Sequence, residues 1–75
     1  MLTEKQVKLL QELGFKESKW MKGYWRKWYG LTRRSEEQFI EIHAYGNKVR
    51  IKSFGIIGFE DPERDLAALK AGGIE

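Results

Sequence analysis

The sequence has no cysteine, and only one proline and one histidine among its 75 residues. Without cysteine, the chain can form neither disulfides nor zinc sites built on thiolates. His43 is the only imidazole, and no serine lies in the strand-to-helix context of a catalytic nucleophile, so we expect no enzyme activity. The sequence also lacks a glycine-rich phosphate loop and metal-ligand spacing, and we predict no metal and no cofactor.

Long apolar runs are missing as well. The amino-terminal segment MLTEKQVKLL interleaves cations with apolar residues. It contains no continuous apolar stretch long enough for a signal peptide or a membrane span. We therefore expect a cytoplasmic protein without membrane contact. A chain of this length predicts one domain, residues 1–75, in which a single core provides only about 3–5 kcal/mol of net stability.

Positive charge is concentrated in one region of the chain. The formal net charge is +3, but residues 16–34 contain seven cations and one carboxylate, whereas the chain from residue 35 onward contains five cations and eight carboxylates. The basic region includes WMKGYWRKWYG, residues 20–30, with three tryptophans and two tyrosines. The charge therefore coincides with the aromatic residues, which is typical of a binding surface.

The first segment carries the signals of a short helix. Thr3 followed by Gln6 three residues later predicts a capping box at the start of a helix over residues 3–13. Gly14 is suited to the left-handed conformation that ends a helix, and Phe15 can then fold back onto the apolar stripe.

The last segment, FEDPERDLAALKAGG, repeats these signals. Asp61 is the predicted N-cap and Pro62 the first helical residue, with acidic residues in the first turn and Lys70 in the last. We predict a helix over residues 62–71 that buries Leu66 and Leu69.

Between the helices the hydrophobic period changes to two. QFIEIHAYGNKVRIKSF predicts a hairpin around Gly46-Asn47, with Tyr45 opposite Lys48 and the register continuing to Ile40 opposite Ser53. Residues 19–31 predict a third strand. The predicted fold is α+β, in the order α-β-β-β-α, with a three-stranded antiparallel sheet and both helices on one face. The predicted core is Leu10, Leu13, Ile40, Ile42, Val49, Ile51, Leu66 and Leu69.

Strand alternation divides the aromatic run into two faces. We expect Met21, Gly23, Trp25, Lys27, Tyr29 and Leu31 beneath the helices. The other set alternates aromatic residues with cations and is predicted to face outward with the polar side of the hairpin. A bulge at Gly23 would reverse this assignment. The candidate binding residues are Trp20, Lys22, Tyr24, Arg26, Trp28, Arg33, Arg34, His43, Tyr45, Lys48, Arg50 and Lys52.

Cations bind phosphates and flat rings stack on bases, so this surface predicts a non-enzymatic module that binds nucleic acid, either single-stranded or RNA. The alternative is a small protein-binding or inhibitory module, of the phage or mobile-element type, that uses the same surface on an acidic protein partner. A ribonuclease-like role for His43 is a third interpretation. The sequence does not indicate an oligomeric state.

Several short motifs resemble the double-stranded RNA-binding domain and the HicA-type RNA-cleaving toxins of bacteria. They are KLLQELGF, Gly23 eight residues further on, the strand YWRKWY and the closing LAALKAGGI, all within a helix, three strands, helix order. The toxins carry a catalytic histidine directly after that glycine, where this chain has Tyr24 and Trp25. The binding domains have a lysine-rich start to the second helix, where this chain has EDPERD. The resemblance therefore implies the topology and not nuclease activity.

Overall fold

The computed structural model describes residues 1–55 and 59–74, which form two helices and one antiparallel sheet. In chain order the elements are α1 (Glu4–Glu12), β1 (Lys16–Glu17), β2 (Tyr24–Leu31), β3 (Glu37–Tyr45), β4 (Lys48–Phe54) and α2 (Glu60–Ala71). The strands lie side by side in the order β1-β2-β3-β4. The α+β class is confirmed, but the expected three strands are wrong, because β1 pairs with β2 as a fourth. A two-residue strand shows no alternation that a sequence pattern could reveal.

Helix α1 has the predicted caps. The Thr3 side chain accepts a hydrogen bond from the Gln6 backbone N–H at 3.1 Å, and the Gln6 side chain accepts one from the Thr3 N–H at 2.9 Å. At the other end Gly14 has a φ of 91°, and the Phe15 N–H donates to the Leu10 carbonyl at 2.9 Å. This Schellman closure places Phe15 in the core.

Helix α2 begins two residues earlier than predicted, at Glu60. Phe59 occupies the N-cap position and makes no capping hydrogen bond through its side chain, so the predicted cap at Asp61 is wrong. Proline is tolerated throughout the first turn, where backbone N–H groups have no intrahelical acceptor, and Pro62 therefore does not mark the first helical residue. The predicted end at Ala71 is confirmed.

Strands β3 and β4 form the predicted hairpin in the predicted register. Tyr45 pairs with Lys48, and the ladder continues past the pair of Ile40 with Ser53. Because the register is the predicted one, the hairpin presents its aliphatic residues to one side of the sheet and its charged residues, with Phe39 and Phe54, to the other.

The predicted strand over residues 19–31 is shorter in the structure, where β2 begins only at Tyr24. The preceding residues form a turn that is held by the Ser18 side chain. Its hydroxyl oxygen accepts hydrogen bonds from the backbone N–H groups of Trp20 and Met21, at 3.1 and 3.2 Å. A serine side chain that binds the backbone in this way competes with extended structure.

Gly23 is the last residue of this turn and packs against β3, the neighbouring strand. Its φ is 88°, and a Cβ at this position would lie 2.2 Å from the carbonyl oxygen of Ala44. Only glycine fits so close an approach. Trp20 and Lys22 therefore lie outside β2, and the prediction that placed them on this strand is wrong. Met21, predicted beneath the helices, is exposed.

A β-bulge changes the alternation near the end of β2. Trp28 and Gly30 pair with consecutive residues of β3, which leaves Tyr29 as the extra residue. Before the bulge the predicted faces are confirmed, since Trp25 is 6% exposed and Trp28 is 57% exposed. After it the faces exchange, so that Leu31 is exposed and the prediction that it is buried is wrong.

The core lies between the two helices and the sheet face that carries Trp25. Its buried apolar residues are Leu10, Phe15, Trp25, Ile40, Ile42, Leu69 and Ile74. Four predicted core residues are only partly buried, namely Leu13, Val49, Ile51 and Leu66. One cluster receives side chains from both helices, as predicted, and the opposite face of the sheet carries the polar residues of the strands.

Candidate binding surface

The sheet face opposite the helices carries aromatic and charged side chains in three rows across the strands, and we call it the open face. The hairpin-end row is Tyr24, His43 and Arg50; the middle row is Lys16, Arg26, Glu41 and Lys52; the far row is Trp28, Phe39 and Phe54. Tyr45 and Lys48 extend this face at the tip of the hairpin. Pairing across adjacent strands therefore brings residues distant in sequence into one surface.

Aromatic rings are stacked on both sides of the middle row. The rings of Tyr24 and His43 lie with centroids 4.2 Å apart and planes 19° apart. The rings of Phe39 and Phe54 are 4.4 Å and 22° apart, and the guanidinium of Arg26 lies 4.1 Å from the centroid of Phe39. These contacts restrict the rotamers of the side chains, so the open face is largely preorganised for a ligand.

The charges on the open face are mainly positive. Its cations are Lys16, Arg26, Lys48, Arg50 and Lys52, and its carboxylates are Glu37 and Glu41. Glu41 lies at the centre, with one oxygen 3.3 Å from Nε2 of His43 and the other 4.0 Å from Nε of Arg26. The excess of cations predicts attraction for an anionic ligand that weakens as salt is added.

Eight of the twelve predicted binding residues lie on the open face. They are Tyr24, Arg26, Trp28, His43, Tyr45, Lys48, Arg50 and Lys52. Trp20 is 93% exposed in the turn before β2 and lines a pocket at the β1 edge of this face. Lys22 lines a different groove, near the start of α1, so its predicted alignment with Arg26 is wrong.

Arg33 and Arg34 lie in the turn that connects β2 with β3. The Thr32 N–H donates to the Glu36 carbonyl at 2.8 Å and closes this turn. The two arginines line a depression with Phe59, at the end of the sheet that is remote from the β3–β4 hairpin loop. They are therefore peripheral to the three rows of the open face.

The set of predicted binding residues omitted several members of this surface. Lys16 and Lys19 were missed because β1 and the following turn give no periodic signal. Phe39, Glu41 and Phe54 alternate with the buried residues of the hairpin, and this alternation is the signal that could have included them. The structure shows that they contact Arg26, His43 or one another.

Asp65 of α2 links the helix to the inward side of β2. Its Oδ2 accepts hydrogen bonds from Nζ of Lys27 and from the hydroxyl of Tyr29, both at 2.6 Å, and the Asp65 side chain is 1% exposed. Burial, together with the hydrogen bond to Asp65, raises the pKa of Tyr29 far above its ordinary value. Lys27 and Tyr29 therefore stabilise the fold and are not available to a ligand on the open face.

Comparison of the chain with protein-family models, with curated proteins and with solved structures finds no significant match. The likeness to RNA-binding domains and HicA-type toxins therefore stays a prediction. Neither helix described within residues 1–55 and 59–74 is long and apolar enough to cross a membrane. In the same two segments, no three histidine, aspartate or glutamate side chains are grouped as a metal site would require.

Proposed function

We propose that the protein binds single-stranded nucleic acid through the open face. The observation that supports this function best is the placement of two stacked aromatic pairs on either side of a mainly cationic row. Phosphates are bound by lysine and arginine, and unpaired bases stack on exposed rings, each base contributing about 1–3 kcal/mol. A duplex hides its base faces, so this arrangement favours a single strand.

The spacing of the aromatic groups suits an extended strand. Tyr24 and Trp28 are four residues apart on β2, which corresponds to roughly 13 Å. Between them lies Arg26, with Lys52 further along the same row. A single strand crossing the sheet can place one base near each aromatic row while the intervening phosphates contact the cations.

This proposal describes binding without catalysis, in the cytoplasm, without a cofactor. His43 is the only imidazole, and its ring stacks on Tyr24 while its Nε2 contacts Glu41. Those contacts hold the ring as part of the surface. They are the reason that we favour a binding function over the ribonuclease-like interpretation.

The test is the salt dependence of binding to a single-stranded oligonucleotide of mixed sequence. Arg26→Ala removes one phosphate contact, so the slope of log affinity against log salt should become shallower by about 0.7. Trp28→Ala should weaken binding by about 1–3 kcal/mol at unchanged slope, and Trp28→Phe should restore much of it. Lys5→Ala is the control, because Lys5 is an equally charged exposed residue on α1.

Wild-type protein that does not bind any single strand would refute the proposal. Equal changes of slope in Arg26→Ala and Lys5→Ala would also contradict it, because they would show attraction to the whole molecule and not to the open face. Fluorescence anisotropy of a labelled oligonucleotide measures all four variants under the same conditions.

A protein partner is the second candidate, and one specific observation favours it. The exposed Trp28 and Phe54 pair with the partly buried Phe39 on its two sides, and the exposed Leu31 lies three residues beyond Trp28 on β2. A contiguous apolar patch with a basic rim is typical of protein interfaces and would suit an acidic partner. Such a partner should bind tightly and saturably as one protein species, whereas nucleic-acid binding should extend over many sequences and weaken log-linearly with salt.

A further inference from the structure

A pocket lies where the turn before β2 meets the open face. Its volume is about 370 Å³, within the range of pockets that hold small ligands. Its lining comprises Lys16, Ser18, Lys19, Trp20, Tyr24, Trp25, Arg26 and Glu41. The lining therefore includes three aromatic residues, of which Trp25 is buried, together with three cations and a single carboxylate.

The walls of this pocket are held in place by specific contacts. The hydroxyl oxygen of Ser18 accepts two backbone N–H groups of the turn that carries Trp20, and the Glu17 carboxylate accepts the N–H of Gly23 at 2.9 Å. On the opposite wall, one face of the Tyr24 ring is covered by His43. The pocket is thus bordered by a rigid turn and by a ring whose orientation is set by stacking.

Glu41 is the unusual member of this group, because a carboxylate repels the phosphates that the cations attract. Its side chain is 28% exposed, and each oxygen has one close contact, with His43 and with Arg26. A carboxylate has about four lone-pair positions, so both oxygens keep the capacity to accept a further hydrogen bond. A ligand with two adjacent donors would satisfy that capacity.

We propose that this pocket selects guanine, with Glu41 as the residue that determines specificity. Guanine has two adjacent donors, the N1–H and the N2 amine, on its Watson–Crick edge, whereas adenine and cytosine place an acceptor nitrogen beside their amine. Uracil has one N–H between two carbonyls. The guanine ring would stack between Trp20 and Tyr24, while Lys16 and Lys19 bind the flanking phosphates. This inference rests on the proposed function, because it specifies the base at that surface.

The test uses a short oligouridine that carries one central guanosine, the same strand with inosine, which lacks the N2 amine, and the unsubstituted strand. Wild-type protein should bind the guanosine strand roughly tenfold more tightly than the other two, the discrimination typical of one bidentate base contact. Glu41→Gln should abolish this preference, because the amide group donates where the base also donates. Its affinity for the unsubstituted strand should not fall, since one repulsive charge is removed.

Glu37→Gln is the matched control. Glu37 pairs with Leu31 at the other end of the open face and does not line the pocket, but its substitution removes the same charge. It should leave the preference for guanosine unchanged. Trp20→Ala should weaken binding of the guanosine strand more than binding of the oligouridine.

Three outcomes are decisive. If all three strands bind with equal affinity, the guanine site is refuted while the proposed function stands. If Glu41→Gln and Glu37→Gln reduce the preference equally, the effect is one of net charge and the role of Glu41 is refuted. If no strand binds, the proposed function is refuted, and the guanine site with it.

Discussion

Replacing Asp65 with alanine should remove most of the stability of this protein. The substitution leaves the Lys27 ammonium and the Tyr29 hydroxyl without the carboxylate that now lies 2.6 Å from each. Breaking a buried ion pair by removing one partner typically costs about 3–5 kcal/mol. The Lys27 side chain is 24% exposed and can reach water after a small movement, so we expect the lower end, about 3 kcal/mol.

Such a loss is large for a chain of this length, since a single small core rarely contributes more than about 3–5 kcal/mol of net stability. The melting temperature should fall by roughly 12–24 °C, at about 4–8 °C for each kcal/mol. Urea denaturation followed by circular dichroism measures the change in the free energy of unfolding. A double-mutant cycle with Lys27→Met should give a coupling energy of at least about 0.5 kcal/mol if the two side chains act as one network.

Asp61→Ala is the matched control for this experiment. Asp61 lies one turn earlier on α2 and pairs with Arg64 at 3.7 Å, but both side chains are mostly exposed. Exposed pairs contribute little, so the control should lose less than about 1 kcal/mol. If Asp65→Ala is no more destabilised than Asp61→Ala, the claim that Asp65 fastens α2 to the sheet is wrong.

Two further predictions concern the strand that carries the aromatic residues. Trp25→Ala should cost about 3–5 kcal/mol of stability because Trp25 lies in the core. Trp28→Ala should leave the melting temperature nearly unchanged because Trp28 is exposed. The opposite result would mean that β2 presents Trp28, and not Trp25, to the core. Tyr29 should make stability depend on pH above about pH 10, where the unfolded chain releases the tyrosine proton and the folded protein retains it. Stability should therefore fall as the pH rises through this range, and Tyr29→Phe should show a smaller alkaline loss than wild type in urea denaturation between about pH 9 and 12.

Local chemistry in the sequence was sufficient for several elements. Thr3 with Gln6 and Gly14 with Phe15 define the two ends of α1 through hydrogen bonds between residues close in sequence. The hairpin register follows from a two-residue loop and strict alternation on both sides of it. The inward position of Trp25 follows from the same alternation.

Other features were decided only by the tertiary structure. The bulge at Tyr29 and the glycine contact with Ala44 depend on how β3 passes β2, so the hydrophobic pattern of β2 alone predicted its start and the face of Leu31 incorrectly, although its end at Leu31 is confirmed. The composition of the open face shows the same limit, because the row that joins Lys16 to Lys52 forms only when all four strands are paired.

The clearest case is the group formed by Asp65, Lys27 and Tyr29. An acidic residue beyond the first turn of a helix is ordinarily exposed, and nothing in the neighbouring residues indicates otherwise. Asp65 is buried because α2 packs across β2 and because two donors, more than thirty residues away in the chain, bind its Oδ2 there, while Nε of Arg64 lies 3.9 Å from its Oδ1. Burial of a charge is tolerable only where partners are already in place, and it is the packing of helix on sheet that supplies those partners.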